Sequence, residues 1–243
     1  MKKITKYIPT IILTLLCSCS DYLDIVPDNV TTLDIVFNNR NTAERYLANC
    51  YHFVPDHGSV KRIPGMGAGH ECWFYTTNDS HFDNEVSFYI ARGLQNIDAP
   101  YANYWDGEGG SNLPMFRAIR ECNIFLDYVR DQHKVNDLTD SERKRWIAEV
   151  NVLKAYYHFF LFEHYGPIPI VDKALPVSTD PEGVKVTRMP VDQIVDYMVK
   201  LIDDSYKDLP PVITMEATEM GRLTQPAALA LKAKILLWAA SPL

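Results

Sequence analysis

The sequence predicts an all-α domain in which helix hairpins stack side by side, with long irregular loops between them. Five segments of the 243-residue chain repeat apolar residues at helical spacing, and alternating strand patterns do not appear with comparable strength. With 47% hydrophobic and 12% aromatic residues, the chain can bury a core. Loops over residues 55–112 and 166–189 separate the helices. Stacked helix pairs of this kind build scaffolds whose surfaces bind ligands.

The first two predicted helices cover residues 41–54 and 113–130. Each carries one broad apolar stripe, and Pro55 ends the first helix. Pro114 lies in the first turn of the second helix, where its missing N–H is not needed. Both patterns predict helices that bury one face.

The third predicted helix, residues 141–165, is the longest and ends at the Gly-Pro pair 166–167. The fourth covers residues 190–209 and ends before the Pro-Pro pair 210–211. The fifth runs from Thr224 to the last residues and carries alanines along its whole length. Because small residues let neighbouring helices approach closely on more than one side, we expect this last helix to be central to the stack.

The first eighteen residues have the features of a secretory signal peptide. Three lysines and no acid accompany an apolar run over residues 8–16, which is too short for a hydrocarbon core that needs about 20 residues. A lipoprotein signal places a small residue directly before the cysteine that is acylated. Leu16 precedes Cys17 and Ser18 precedes Cys19, so we expect cleavage after residue 18 and a lipid on Cys19. A plain secreted protein with an incidental cysteine pair is the alternative.

Residues 19–40 are predicted to form a lipidated tether and lead-in, followed by a helical domain over residues 41–243. Removal of the signal leaves 21 basic residues against 31 acidic ones, a formal charge of −10. This charge argues against nucleic acid as a partner and against a polybasic membrane patch. The lipid would therefore be the membrane anchor.

Three cysteines follow Cys19, and an odd number cannot all pair within one chain. They are Cys50, Cys72 and Cys122. Export to an oxidising space would permit one disulfide. Cys50 and Cys122 each have apolar neighbours in a helical pattern, which favours two small buried thiols.

The loop over residues 55–112 is rich in aromatic residues but has no clear helical stripe. Flat rings stack on the apolar faces of sugars while polar side chains bind hydroxyl groups, and such mixed clefts are typical ligand sites. We predict that Trp73, Tyr75 and Trp105 form a glycan-binding platform. Packing of each ring onto the helices is the alternative.

No motif in the sequence predicts catalysis, a metal ion or a cofactor. Six residues separate His158 from His164, so on a helix they point about 240° apart and cannot face one ion. The acids and histidines at 70–85 depart from the spacing of a calcium loop. The glycine runs at 65–69 and 107–110 lack the lysine of a phosphate loop and indicate flexible turns. We therefore expect a binding protein and not an enzyme.

Five stretches resemble signature segments of the SusD/RagB family, in the same order along the chain. The stretch that begins at Cys19 resembles the mature start of such proteins, with the lipid-bearing cysteine included. The other four are SNLPMFRAIRECNIFLDYV (111–129), RKRWIAEVNVLKAYYHFFLFEHYGPIPIV (143–171), RMPVDQIVDYMVKLIDDSYKDLP (188–210) and GRLTQPAALALKAKILLWAASPL (221–243).

The resemblance implies a tetratricopeptide-like fold and a lipoprotein of the outer membrane that captures a glycan or another nutrient. It also implies a partner, a SusC-like TonB-dependent transporter, over which the lipoprotein sits as a lid. Family members continue past the segment that ends at Leu243, so we expect the chain to be an N-terminal portion that lacks part of the ligand site. A tetratricopeptide-type protein or peptide interaction scaffold without glycan binding is the alternative.

Overall fold

The computed structural model describes residues 32–58, 64–69, 86–109, 112–176 and 182–241, and every regular element within them is a helix. The predicted all-α class is thereby confirmed. The chain divides into two units after Val36. In the first unit, α1 (Leu33–Val36) is a single turn.

The second unit, from Phe37 onward, contains all five predicted helices. Its helices are α2 (Arg40–Tyr51), α3 (Pro64–Gly67), α4 (Val86–Ala91), α5 (Met115–Arg130), α6 (Asp140–Tyr165), α7 (Val191–Asp203), α8 (Glu216–Glu219) and α9 (Gln225–Ala239). Two 3₁₀ helices, Glu182–Val184 and Tyr206–Asp208, lie before and after α7. The predicted helices correspond to α2, α5, α6, α7 and α9, with ends that differ by a few residues.

Local capping determines where the longest helix begins. The Thr139 hydroxyl accepts the N–H of Glu142 at 3.3 Å, and the Glu142 carboxylate accepts the N–H of Thr139 at 3.2 Å. This reciprocal pair satisfies two N–H groups that the first turn of a helix leaves without partners. At the other end, Gly166 has a φ of 66° and ends α6 as the sequence predicts.

The prediction that the last helix is central to the stack is wrong, because α6 occupies that place. α6 packs against α2, α5, α7 and α9. Its predicted apolar line from Trp146 to Phe160 is buried, and so are Val152 and Phe159 on other sides of the helix. A helix whose middle is buried on nearly every side lies in the interior of a domain and not at its edge.

The last helix, α9, contacts α6 and α7 with one narrow face. Ala228 and Ile235 are fully buried, whereas Leu236, Leu237 and Trp238 are exposed. Small residues permit close approach on several sides, but only one side has neighbours in the described part of the chain.

No described helix is both long and apolar enough to span a bilayer.

Arg143 fixes the turn that joins α5 to α6. Its buried guanidinium donates to four main-chain carbonyl oxygens, at distances of 2.6 to 3.3 Å. Those carbonyls belong to Val129, Asp131, Lys134 and Val135. A single side chain thus holds the end of one helix and the turn that follows it.

Glu149 on α6 is the centre of a buried ion network. Its carboxylate accepts two N–H groups of Arg222 at 3.2 and 2.9 Å and the Nε–H of Arg145 at 3.0 Å. The Tyr51 hydroxyl donates to the same carboxylate at 2.8 Å and accepts the N–H of Leu223 at 3.1 Å. The network therefore joins α2, α6 and the segment that precedes α9.

Lys154 holds the segment that follows α6. Its ammonium group is buried and donates to the main-chain oxygen of Asp172 at 2.9 Å and to the carboxylate of Asp172 at 2.8 Å. The Tyr197 hydroxyl on α7 donates to the same carboxylate oxygen at 2.8 Å. The sequence analysis predicted none of these buried charges, because it identified helices from the spacing of apolar residues.

Cys50 and Cys122 are buried free thiols, as expected. The neighbouring Cys122 thiol, followed by burial, raises the pKa of the Cys50 thiol. The Cys50 thiol is therefore a neutral, unreactive part of the contact between α2 and α5. Cys72 lies outside the described residues.

We expect Glu149→Gln to lower the free energy of unfolding by about 3 kcal/mol, because Arg222 and Arg145 would lose a buried charged partner. Urea unfolding followed by circular dichroism measures this change. Glu182→Gln is the matched control, since Glu182 and its partner Lys185 are both exposed and surface pairs contribute little. Equal losses in the two variants would contradict the role given to Glu149.

Candidate functional site

Residues 94–109, which we call the aromatic loop, connect α4 to the start of α5. The loop closes on itself where the Ala102 N–H donates to the Gly109 carbonyl at 3.0 Å. It joins α5 where the Met115 N–H donates to the Tyr104 carbonyl at 2.9 Å. These bonds give the loop a defined shape although it has no regular secondary structure.

Two glycines make this shape possible. Gly109 has a φ of +62°, and a Cβ atom there would lie 2.0 Å from the carbonyl oxygen of Pro100. Gly107 has a φ of +93°, and a Cβ atom there would lie 2.9 Å from the ring of Pro114. The expectation that the glycines at 107–110 form merely flexible turns is therefore wrong for these two, because each permits a close backbone approach.

The aromatic loop places Trp105 against the ends of two long helices. Its indole ring contacts the Phe116 ring of α5 edge to face, with centroids 4.6 Å apart, and the Tyr165 ring of α6 at 5.5 Å. The guanidinium carbon of Arg188 lies 5.2 Å from the indole centroid, a cation–π distance. Trp105 is half-buried, so part of the ring stays accessible.

A cavity of about 210 Å³ lies beside the indole. It is lined by Trp105, Phe116, Arg120, Val171, Lys173, Leu175 and Val186. Arg120 donates to the Leu175 carbonyl and so joins α5 to the far wall. An aromatic and apolar lining with a few convergent polar groups is typical of a small-ligand site.

A second cavity, of about 230 Å³, lies along the same loop near Tyr101 and His164. The Gln95 side chain holds the main chain of Tyr101, accepting its N–H at 2.6 Å and donating to its carbonyl at 2.9 Å. The rings of Tyr89 and Tyr101 stack with centroids 4.6 Å apart. Tyr101 is thus fixed by both its main chain and its ring.

Another cleft, of about 450 Å³, extends from His164 to α9. His57, Glu163, Lys234 and Trp238 contribute to its walls. The Lys234 ammonium lies 3.5 Å from the Glu163 carboxylate, and burial lowers the pKa of His57. We place the candidate site at Trp105 because that cavity contains the predicted platform residue.

The structure describes one of the three predicted platform residues. Trp105 packs on the helices, as the alternative interpretation expects, and it also lines a cavity. Its role in a glycan platform stays a prediction. Trp73 and Tyr75 lie outside the described residues, and their place in the platform stays a prediction.

Both histidines of α6 bond to main-chain carbonyls of their own helix. The Nδ1 of His158 bonds to the Lys154 carbonyl at 2.8 Å, and burial lowers the pKa of His158 to about 4. The Nδ1 of His164 bonds to the Phe160 carbonyl at 2.7 Å. Within the described ranges no three His, Cys, Asp or Glu side chains cluster as metal ligands, and the acid and histidine cluster at 70–85 lies outside them.

The sequence analysis did not find Arg120, Lys173 or Arg188. They come from α5 and from two stretches on either side of residue 180, and no spacing pattern connects these stretches. Arg188 lies just before the proline that starts the fourth predicted helix, a position that sequence treats as a boundary. The fold alone brings Arg120 and Lys173 to one cavity and Arg188 to its indole.

A family model for SusD-like proteins, described as starch-binding and associating with the outer membrane, matches residues 21–237. No protein in the curated set matches the sequence. A solved structure named BT4246 is 27% identical with a TM-score of 0.67, over 84% of this chain and 32% of that one. A SusD-like protein (BF3747) from Bacteroides fragilis NCTC 9343 is 18% identical with a TM-score of 0.63, over 89% and 37% of the two chains.

Surface glycan-binding protein A from Bacteroides thetaiotaomicron, solved in complex with laminarihexaose, is 18% identical with a TM-score of 0.58. That match covers 83% of this chain and 39% of the other. The chain therefore spans less than half the length of each of these structures. The shared fold confirms the tetratricopeptide-like arrangement of stacked helix hairpins.

We expect Gly109→Ala to open the aromatic loop, because the added methyl group would collide with the Pro100 carbonyl. Limited proteolysis should show faster cleavage within residues 94–109. Gly93→Ala is the matched control, since Gly93 also has a positive φ of 73° but meets no atom within 4 Å. The control should lose only about 1 kcal/mol of stability through backbone strain. Identical cleavage rates in the two variants would show that the close approach is unimportant.

Proposed function

The chain belongs to the SusD-like family, and from this premise we propose that it binds a nutrient oligosaccharide as a lipoprotein of the outer-membrane surface. The family match over residues 21–237 carries the proposal, because it extends over most of the chain. The family is described as starch-binding, and one protein of the same fold was solved with laminarihexaose. Both facts support a glycan as the ligand.

The cavity at Trp105 supports the same class of ligand. An indole offers a flat apolar surface to the C–H face of a sugar ring, while polar side chains around it bind hydroxyl groups. Trp73 and Tyr75 would contribute further rings from the same long loop. Several weak contacts would together give useful affinity, because a small polar ligand gains little from any single one.

The protein would release the bound oligosaccharide without cleaving it. Glycoside hydrolysis needs two carboxyl groups on either side of the scissile bond. The described lining of the Trp105 cavity contains no carboxylate. We propose binding without catalysis.

A SusC-like TonB-dependent transporter would receive the oligosaccharide, and a lipid on Cys19 would keep the protein beside it. Cys19 lies outside the described residues, so the support comes from the sequence. Ser20, Asp21 and Asp24 follow at once, so the tether would be polar from its first residues. Several acyl groups on that cysteine would anchor the protein stably, whereas a single acyl group would not.

We expect Cys19→Ala to abolish incorporation of a fatty-acid probe and to release the protein from the membrane fraction. Cys17→Ala is the matched control and should keep both properties, since Cys17 would be removed with the signal. Metabolic labelling and membrane fractionation provide the two measurements. If the Cys19 variant stayed acylated and the Cys17 variant did not, the anchor would be assigned to the wrong residue.

We expect Trp105→Ala to weaken oligosaccharide binding about tenfold, the contribution of one stacked ring. A glycan array on the full-length protein selects the oligosaccharide, and calorimetry measures the affinity. Trp105→Phe keeps a smaller ring and should lose less affinity, while thermal unfolding checks that both variants fold. Unchanged affinity after replacement of both Trp105 and Trp73 by alanine would contradict the predicted platform. Binding of peptides and of no glycan would contradict the proposed class of ligand.

A further inference from the structure

We infer that the cavity at Trp105 selects an acidic sugar, one that carries a carboxylate or a sulfate ester. This inference rests on the proposed function and adds the chemical class of its ligand. Three cations lie at this cavity or at its indole. Arg120 and Lys173 line the cavity, and the guanidinium of Arg188 lies over the ring.

The positive charge of these three residues is not neutralised by any described neighbour. No described carboxylate lies within ion-pair distance of Arg120, Lys173 or Arg188, and none lines the cavity. Arg120 donates to the carbonyl of Leu175, and Arg188 donates to the carbonyl of Pro167 at 2.9 Å. A carbonyl satisfies one donor but leaves the charge of the guanidinium in place.

The acids that adjoin the cations in sequence are engaged elsewhere. Asp172, next to Lys173, accepts hydrogen bonds from Lys154 and Tyr197 at 2.8 Å each. Glu121, next to Arg120, accepts the hydroxyl of Tyr46 on α2. Both carboxylates therefore serve the helix packing, and the cavity keeps its cations.

This local charge is opposite in sign to that of the whole chain, whose formal net charge is −7. A cavity lined by one sign of charge concentrates ligands of the other sign. The hydroxyl groups of a neutral sugar are both donors and acceptors, whereas the charged side chains of this lining only donate. A carboxylate or sulfate on the sugar only accepts hydrogen bonds, so it matches side chains that only donate them.

Each part of the cavity has a role in binding such a ligand. The indole of Trp105 would stack on the sugar ring, and a carboxylate or sulfate would accept charge-assisted hydrogen bonds from Arg120 or Lys173. Guanidinium groups bind planar oxyanions through two parallel bonds, so Arg120 and Arg188 suit a carboxylate particularly well.

Calorimetry on the purified full-length protein tests the inference with three probes of six sugar units. They are a hexagalacturonate, a sulfated galactan hexamer and the neutral laminarihexaose. We expect at least one acidic probe to bind at least tenfold more tightly than the neutral one, and the stronger of the two identifies the anionic group. The preference should shrink when the salt concentration rises from 50 to 200 mM, since partly exposed charges are screened.

Lys173→Gln tests the site without disturbing the fold, because Lys173 is exposed. It should weaken binding of the acidic probe about three- to fivefold, the size of one partly exposed ion pair, and weaken binding of the neutral probe by a smaller factor, since glutamine can still bond to hydroxyl groups. Lys144→Gln removes an exposed lysine of α6 and should change neither affinity. Equal affinity for acidic and neutral probes, or no effect of Lys173→Gln, would overturn this inference while the proposed function stands. Failure of every oligosaccharide to bind would overturn both.

Discussion

Burial of most of α6 is the constraint on which the rest of the structure depends. Polar side chains on its buried part need partners inside the protein. Arg143, Glu149 and Lys154 are such side chains, and each is paired with a different segment. The pairs position the turn after α5, the stretch before α9 and the stretch after α6. Apolar packing supplies the stability, and the buried charges determine which segment lies where.

The candidate site follows from this arrangement. Phe116 is at the start of α5 and Tyr165 is at the end of α6, so two helices of the core hold the walls against which Trp105 rests. The aromatic loop reaches this position through close main-chain contacts that glycine alone allows. A ligand would therefore meet a preformed surface, and little of its binding energy would be spent on ordering the protein.

Sequence patterns predicted the five long helices because each repeats apolar residues with the period of a helix. The fourth prediction ran past Asp203 to residue 209, since a 3₁₀ turn continues the apolar pattern after the α-helix has ended. The alanines of α9 led to the wrong prediction that this helix is central. Small side chains determine how closely a neighbouring helix can pack, but they do not show that a neighbour is present.

The site was predictable only in part. Trp105 was found through its residue type, and the loop glycines were noticed but their geometry was not. Lys173 and Arg188 carried no signal, because they become neighbours of the indole only after the chain has folded. The pair Thr139 and Glu142 did carry a signal, the capping-box spacing, which a closer reading of the sequence would have used.

The clamp formed by Arg143 has a consequence for how this protein can evolve. The guanidinium donates to main-chain oxygens at the end of α5 and in the turn that follows it. These bonds do not depend on the side chains of the turn, so exposed positions there can change, whereas insertions and deletions would move the carbonyls out of reach. Homologous chains should vary in composition there and agree in length, with the arginine retained.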